Sequence, residues 1–308
     1  MQGTMEDLVG MATFAAVVRH GSFTEAAASL GESKSVVSRR VAALEARLGV
    51  RLLHRTTRKI EVTEVGLAVY ERSAGLLTQV EEAGLAASVA TGEPCGTLRM
   101  NAPTVLASEV VVPLLPDLLA RHPALRVELS TSDRMLDVVG SGFDLTLRIG
   151  GRPADASYVA RALCPVRLQP MASPAYVARK GAPSSPADLL DHEGLRYTLL
   201  GARDEFRFTG PDGAEVALPL EGRIGADAGA VLIAAMLAGL GIGILPDIET
   251  RAHVAEGRMV EVLAGWKTPD RWLWAMWPSR TLVPPKVRAM VDHLAAHLDQ
   301  SPRSRQAS

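Results

Sequence analysis

Residues 33 to 59 hold Lys34, Arg39, Arg40, Arg47, Arg51, Arg55, Arg58 and Lys59 against one acid, Glu45, a local balance of 8 − 1 = +7 in a 308-residue chain whose net charge is −1. Charge this concentrated cannot enter a core, so the segment must lie on a surface with its cations outward. Its apolar residues are nevertheless periodic. Val37, Val41, Leu44 and Leu48 recur at three- and four-residue steps, the period of one helix face. The segment therefore contains an amphipathic helix with a polar, basic leading edge. Basic charge confined to one part of a near-neutral chain is the footprint of phosphate binding.

The flanks complete a unit. Phe14, Val17 and Val18 give an earlier helix an apolar face. Ser22 is placed to cap a second helix, with Glu25 three residues on in a capping box. Ala26, Ala27 and Leu30 let two helices cross closely, Gly31 ends the second helix, and Ser33 caps the third. Helix, turn and helix in this order are a helix-turn-helix, whose second helix fits the major groove of DNA. Ser33, Lys34, Ser35, Ser38 and Arg39 then lie at the exposed N-terminal end of that helix, where backbone N–H groups attract phosphate and side chains reach bases. The alternating, β-branched run from Arg51 to Thr63 reads as a two-stranded wing. Arg55, Thr56 and Arg58 at its tip are candidates to track phosphates or enter a narrow minor groove.

The ordered set Phe14, Gly21-Ser22-Phe23, Ala26-Ala27, Leu30, Ser33, Ser35, Val37-Ser38, Leu44-Glu45, Leu48-Gly49, Leu52-Leu53, Arg55-Thr56, Val62-Thr63 and Gly66 resembles the N-terminal domain of LysR-type transcriptional regulators. Many members carry Gln where this chain has Lys34. Gln reads adenine edges, whereas Lys favours guanine or phosphate. Further resemblances are Gly96 to Pro103, Leu114-Leu115-Pro116 with His122-Pro123, Gly142 to Gly150, and Ala238 to Pro246. The resemblance thus runs from about Met5 to Leu298.

Thr63 is placed to cap a helix from about Glu64 to Ser88, with Val65, Val69, Leu76, Val80, Ala83 and Ala87 in one apolar stripe. A lone helix with such a stripe needs a partner, most simply the same helix of a second copy. The family resemblance implies the same homodimer, and a homotetramer built as two dimers. Thr91 to Gly96 breaks the helix and marks a hinge.

Beyond the hinge, strands are expected at 97–101, 126–130 and 144–149, with helices from Val111 to Arg121 and from Met135 to Val139. Alternation of this kind implies a parallel sheet with right-handed crossovers. Strands at 166–172, 223–226 and 242–245 suggest a second sheet. Leu273 to Trp277 returns to the first, and Pro284 to Leu298 is a final amphipathic helix. The expected architecture is an α/β multi-domain chain. It comprises a winged helix-turn-helix (1–63), a linker helix (64–91), and a two-lobed, periplasmic-binding-protein-like effector domain (92–300). Lobe I covers about 92–163 and 268–300, lobe II about 164–267, and 301–308 form a polar, disordered tail.

A ligand of an open α/β sheet sits beyond the carboxyl ends of the strands. That rule selects Ala102, Pro103 and Thr104 after the first strand, Arg148, Ile149 and Gly150 after the third, and Asp227 after the strand at 223–226. Thr104 and Asp227 each begin an expected helix, and Arg148 has the fork to hold an anion bidentately.

Other chemistry is not signalled. No Gly-x-Ser-x-Gly elbow or P-loop occurs, and the glycines from Gly239 to Gly243 follow a helix rather than a strand. Cys95 and Cys164 have no ligand-like spacing, and the seven histidines are scattered without metal-site spacing. Neither an enzyme nor a cofactor is expected. Ala228 to Pro246 approaches a membrane span in length, but its glycines and Pro246 indicate a buried helix, a turn and a core strand. No basic-then-apolar leader is seen, so a cytoplasmic, nucleoid-associated protein is expected. Its expected partners are a double-stranded DNA operator, a small-molecule effector and RNA polymerase, with no membrane.

Overall fold

The computed structural model describes residues 5–55, 60–70, 73, 92–135, 142–153, 157–199, 205–278 and 283–299. The chain forms two compact units, Met1–Ala90 and Thr91–Ser308.

In the first unit, helices α1 (Met5–His20), α2 (Phe23–Leu30) and α3 (Lys34–Leu48) precede an antiparallel pair of strands, β1 (Leu53–Arg55) and β2 (Ile60–Val62). Ser22 Oγ accepts from the Thr24 and Glu25 N–H groups, and Gly31 ends α2 at a left-handed φ of 66°. Phe14, Val17, Ala26, Val37, Val41, Leu44 and Leu52 form one core. The buried Glu45 carboxylate accepts from Leu52 N (2.8 Å) and Leu53 N (3.1 Å), which anchors the wing to α3. Thr63 Oγ1 caps the next helix by accepting from Gly66 N at 2.9 Å, and residues 64–70 are helical. A Cβ on Gly66 would lie 2.1 Å from the Leu52 carbonyl oxygen, so this helix approaches the wing more closely than any side chain permits. Val69 packs on the core while Val65 is exposed. Leu76, Val80, Ala83 and Ala87 of the apolar stripe lie outside the described residues, as do Thr56, Arg58, most of 135–139 and the tail.

The second unit contains two five-stranded sheets. The first has the order β4 (Leu125–Thr131), β3 (Gly96–Ala102), β5 (Leu145–Gly150), β14 (Arg271–Pro278), β6 (Tyr158–Val166). The second has the order β11 (Ile224–Ala226), β8 (Gly194–Tyr197), β12 (Ile242–Pro246), β7 (Leu168–Ala172), β13 (Val260–Glu261). Both are mixed rather than parallel throughout. β4, β3 and β5 run parallel, as do β11, β8 and β12, but β14 and β6 in the first sheet and β7 and β13 in the second are antiparallel to their neighbours. The cause is the two crossings between sheets: a strand that arrives from the other lobe enters from the opposite end.

The first crossing is at Arg167, because β6 pairs with β14 as far as Val166 and β7 begins at Leu168. The backbone there is held by Asp247, whose N–H donates to Arg167 O (2.8 Å) and whose Oδ1 accepts from Arg167 N (3.2 Å). At the return, Thr268 Oγ1 donates to Leu168 O at 2.9 Å.

The helix after β3 starts well before Val111. It runs as α4 (Thr104–Leu106), a π-helical segment (Ala107–Val111) and α5 (Val112–Arg121). The π register breaks the 3.6-residue repeat, which hides the first turns from a periodicity search. α6 (Pro174–Lys180) and a 3-10 turn (Pro186–Asp191) follow β7, and the hairpin of β9 (Glu205–Thr209) and β10 (Glu215–Pro219) adds Phe208 and Leu218 to the core of the second lobe. α7 (Gly229–Leu237), a turn at Gly239 and β12 account for the apolar stretch from Ala228 to Pro246. No described helix is long and apolar enough to cross a membrane. α8 (Asp247–Ala255) follows β12, and α9 (Pro285–Asp299) packs on the first sheet.

Candidate functional site

Ser33 caps α3: its Oγ accepts from Val36 N at 3.4 Å and lies 2.9 Å from Ser35 Oγ. Lys34, Ser35 and Arg39 are exposed and Ser38 is half-buried. The cations near them divide into two groups. Arg40 pairs with Glu32 at 2.9 Å, Arg47 with Asp7 at 2.5 Å, and Arg51 lies 3.6 Å from Glu45. These three serve the fold. Lys34 and Arg39 make no ion pair among the described residues, so the free positive charge of α3 sits on its leading edge. That edge also carries the first N–H groups of the helix, which add partial positive charge where a phosphate would lie. Arg55 contributes to β1, and only its backbone is described.

In the second unit the carboxyl ends of the parallel strands β3, β4, β8 and β11 come together at a junction between the sheets. Asp133, in the loop after β4, is its hub. Asp133 Oδ1 accepts from Thr104 N (3.0 Å) at the start of α4 on the first lobe. Asp133 Oδ2 accepts from Gly229 N (2.8 Å) at the start of α7 and from the Tyr197 hydroxyl (3.3 Å) at the end of β8, both on the second lobe. One carboxylate therefore satisfies two helix N-termini that belong to different lobes. Beside it, Arg134 Nη2 donates to Asp227 Oδ2 at 3.0 Å.

Arg148 is buried below this hub. Its Nη1 donates to Leu147 O (2.7 Å) and its Nη2 to Asn101 Oδ1 (2.6 Å) and Arg134 O (2.9 Å). Arg148 thus offers no open fork for a bidentate anion, contrary to expectation. Its Nε has no partner among the described residues. Burial lowers the Arg148 pKa, and the charge of Asp133 acts in the opposite sense. Glu249 on α8 is buried as well. Desolvation first, and then the Asp133 charge, push its carboxyl up to about 8. Tyr197 is pushed above the ordinary tyrosine range by burial, then by Asp133, with Glu249 acting in the same direction.

The residues selected by the strand-end rule are brought together only in part. Ala102 is buried and Pro103 is the N-cap of α4, with Thr104 the first helical residue, so Thr104 does not cap by its side chain. Asp227 does not cap α7 either: Ala228 holds that position and Asp227 pairs with Arg134. Asp133 supplies both missing caps from outside the helices. Ile149 and Gly150 are held opposite Leu273 and Trp272 by β14, and Gly150 O accepts from Trp274 Nε1 at 3.3 Å.

The profile of the bacterial regulatory helix-turn-helix protein, lysR family, matches residues 8–67, and that of the LysR substrate binding domain matches residues 91–299. The chain belongs to the LysR family of transcriptional regulators. It is 38% identical over 296 residues to an HTH-type transcriptional regulator of Xanthomonas campestris pv. campestris (strain 8004), covering 95% of this chain and 86% of that one. It is 35% identical over 299 residues to an HTH-type transcriptional repressor of Pseudomonas aeruginosa (strain UCBPP-PA14), covering 97% and 94%. It is also similar to the full-length structure of the Vibrio cholerae virulence activator AphB, with a TM-score of 0.67, 28% identity, and coverage of 96% of this chain and 99% of that one. The family has an N-terminal DNA-binding domain and a two-lobed effector-binding domain, the two parts described above, and the relatives are regulators rather than enzymes.

Four cleft residues escaped the sequence reading of this LysR-type regulator: Asp133, Tyr197, Asn101 and Glu249. The strand-end rule that picked the ends of β3, β5 and β11 also selects Asp133 beyond β4 and Tyr197 at the end of β8. Nothing local marks Asn101 or Glu249, whose importance comes from burial. The histidines are also not all scattered. His293 and His297 are four apart on α9, and ring nitrogens of both lie with an Asp117 carboxylate oxygen within 4.8 Å of one another.

Proposed function

We propose that the leading edge of α3 reads one half of a dyad-symmetric operator, and that a small anionic effector acting at the cleft adjusts the spacing of two such readers. The exposed Lys34 and Arg39, without an ion pair among the described residues, stand beside the Ser33-capped helix start and carry the DNA part of this proposal. Ser35 and Ser38 add short donors that reach base edges, while Arg55, Thr56 and Arg58 of the wing hold phosphates. Residues 64–91 pair two copies into a dimer through their apolar stripe, and two dimers form a tetramer. Selection of genomic fragments by the purified chain, followed by sequencing, tests this directly. Enrichment of a dyad-symmetric site upstream of a gene supports operator reading. Uniform recovery of fragments at moderate salt contradicts it. Sedimentation of Leu76→Asp tests the dimer, and an unchanged mass rules out pairing through this stripe.

The effector part rests on Asp133. An anion is the natural occupant of a site framed by the N-termini of α4 and α7, and the Asp133 carboxylate fills that place. A carboxylate or similar small anion that competes with Asp133 changes the tie between the lobes, and binds one arrangement better than the other. A thermal-shift panel of mono- and dicarboxylates against matched neutral amides tests this class. Stabilisation by neutral compounds alone excludes it.

A further inference from the structure

A second polar cluster lies on the first lobe, where α5 meets α9. His293 is buried, and its Nε2–H donates to Leu114 O at 2.9 Å, so Nδ1 carries the lone pair. His297, one turn further along α9, donates from Nδ1–H to His293 O at 2.8 Å, with the two ring centroids 4.3 Å apart. Backbone carbonyls thus fix the tautomer of both rings, as the outer partners of metal-binding histidines do. Asp117 Oδ2 lies 3.8 Å from His293 Nδ1, and one ring nitrogen of each histidine and an Asp117 carboxylate oxygen all fall within 4.8 Å of one another.

A cation already occupies this position. Arg121 Nη2 donates to Asp117 Oδ2 at 2.6 Å and to His293 Nδ1 at 2.5 Å. Lone pairs from two helices therefore converge on one positive group. The arginine is about half exposed, so its long side chain can swing into solvent without opening the core.

We propose that Asp117, His293 and His297 form a site for a borderline divalent transition metal of the zinc type, which displaces the Arg121 guanidinium and joins α5 to α9. Two imidazoles and one carboxylate suit zinc, cobalt or nickel better than magnesium or calcium, which take oxygen ligands. Three protein ligands leave one position for water in a tetrahedral site. A metal–ligand length near 2.1 Å requires the donors to move slightly inward, and exposed Asp117 and His297 have room to do so. The proposal does not depend on the effector cleft.

The test uses the full chain stripped with a chelator. Cobalt is titrated against visible absorption, and zinc is then titrated against the cobalt signal. One equivalent with a ligand-field band of a low-coordinate site is expected. His297→Ala, a change at an exposed position, weakens uptake at least about tenfold, and Asp117→Asn weakens it in the same sense. Arg121→Gln, which removes the competing cation, tightens it. No uptake by the unaltered chain, uptake unchanged in His297→Ala, or uptake no tighter in Arg121→Gln would each overturn the proposal.

Discussion

Two buried or half-buried carboxylates do similar work in the two units, and they differ in whether the groups they tie belong to one core or to two lobes. Glu45 accepts two backbone N–H groups and lies inside one core, so it fixes the wing relative to α3. Asp133 also accepts two backbone N–H groups, but they come from helices on different lobes. The first bond pattern can break only if the DNA-binding unit unfolds. The second breaks if the lobes shift. On the function proposed above, the first tie keeps the reader's geometry and the second is the joint on which an effector would act.

The largest effect expected from this contrast concerns Glu249, which lies near Asp133. Its carboxyl is raised from an ordinary 4.5 to about 8, so between those values the folded protein holds a proton that the unfolded chain has released. The folded state then binds more protons, and stability falls as pH rises through that window, by up to about 5 kcal/mol. All four tryptophans lie in the second unit, so their fluorescence follows this unit alone. Glu249→Gln flattens the slope. A slope unchanged in that variant places its origin elsewhere.

Next in size is Glu45→Ala. Two buried N–H groups lose their acceptor, at a cost of about 3 kcal/mol. The loss appears in far-ultraviolet circular dichroism of the first unit and leaves the tryptophan transition where it was. A shift of the tryptophan transition instead contradicts the division of labour between the two carboxylates.

Asp133→Asn is milder, because one oxygen acceptor remains. Loss of the charge facing two helix N-termini costs about 1–2 kcal/mol. It also removes the second cause of the Glu249 shift, so the pH slope measured above becomes shallower. A slope as steep as before separates the two groups and removes Asp133 from the centre of the cleft.

The two units also differ in how far their sequences reveal them. In the first, local signals agree with one another: Ser22, Gly31, Ser33 and Thr63 stand where helices start or stop, and the apolar spacing of Val37, Val41 and Leu44 matches the core face. Each of these is a short-range effect, visible within four residues. The cleft is built otherwise. Thr104 and Asp227 carry the residue types of caps, yet a distant Asp133 does the capping, and such a bond between residues 29 and 96 positions apart leaves no periodic trace. Arg148 has the right chemistry for an anion, but Asn101 and two carbonyls already engage it. The excess charge of +7 around α3 was legible, but the ion pairs of Arg40 and Arg47 were not, because one partner of Arg47 lies forty residues away on α1. Sheet direction was half legible: a strand-helix-strand alternation shows in the sequence, whereas the two crossings that reverse β7 and β14 do not.

The central claim is that the leading edge of α3 reads DNA while Arg40, Arg47 and Arg51 of the same basic segment are tied into the fold. Its most direct test is a mobility-shift titration of the full chain on an enriched operator fragment, at stepped salt, with sedimentation as a control. Ser38→Ala combined with Arg39→Ala should abolish specific binding, leave the sedimenting mass unchanged, and reduce the salt slope of the remaining non-specific binding by about one for the lost arginine. Operator binding equal to that of the unaltered protein, with the same salt slope, would contradict the account.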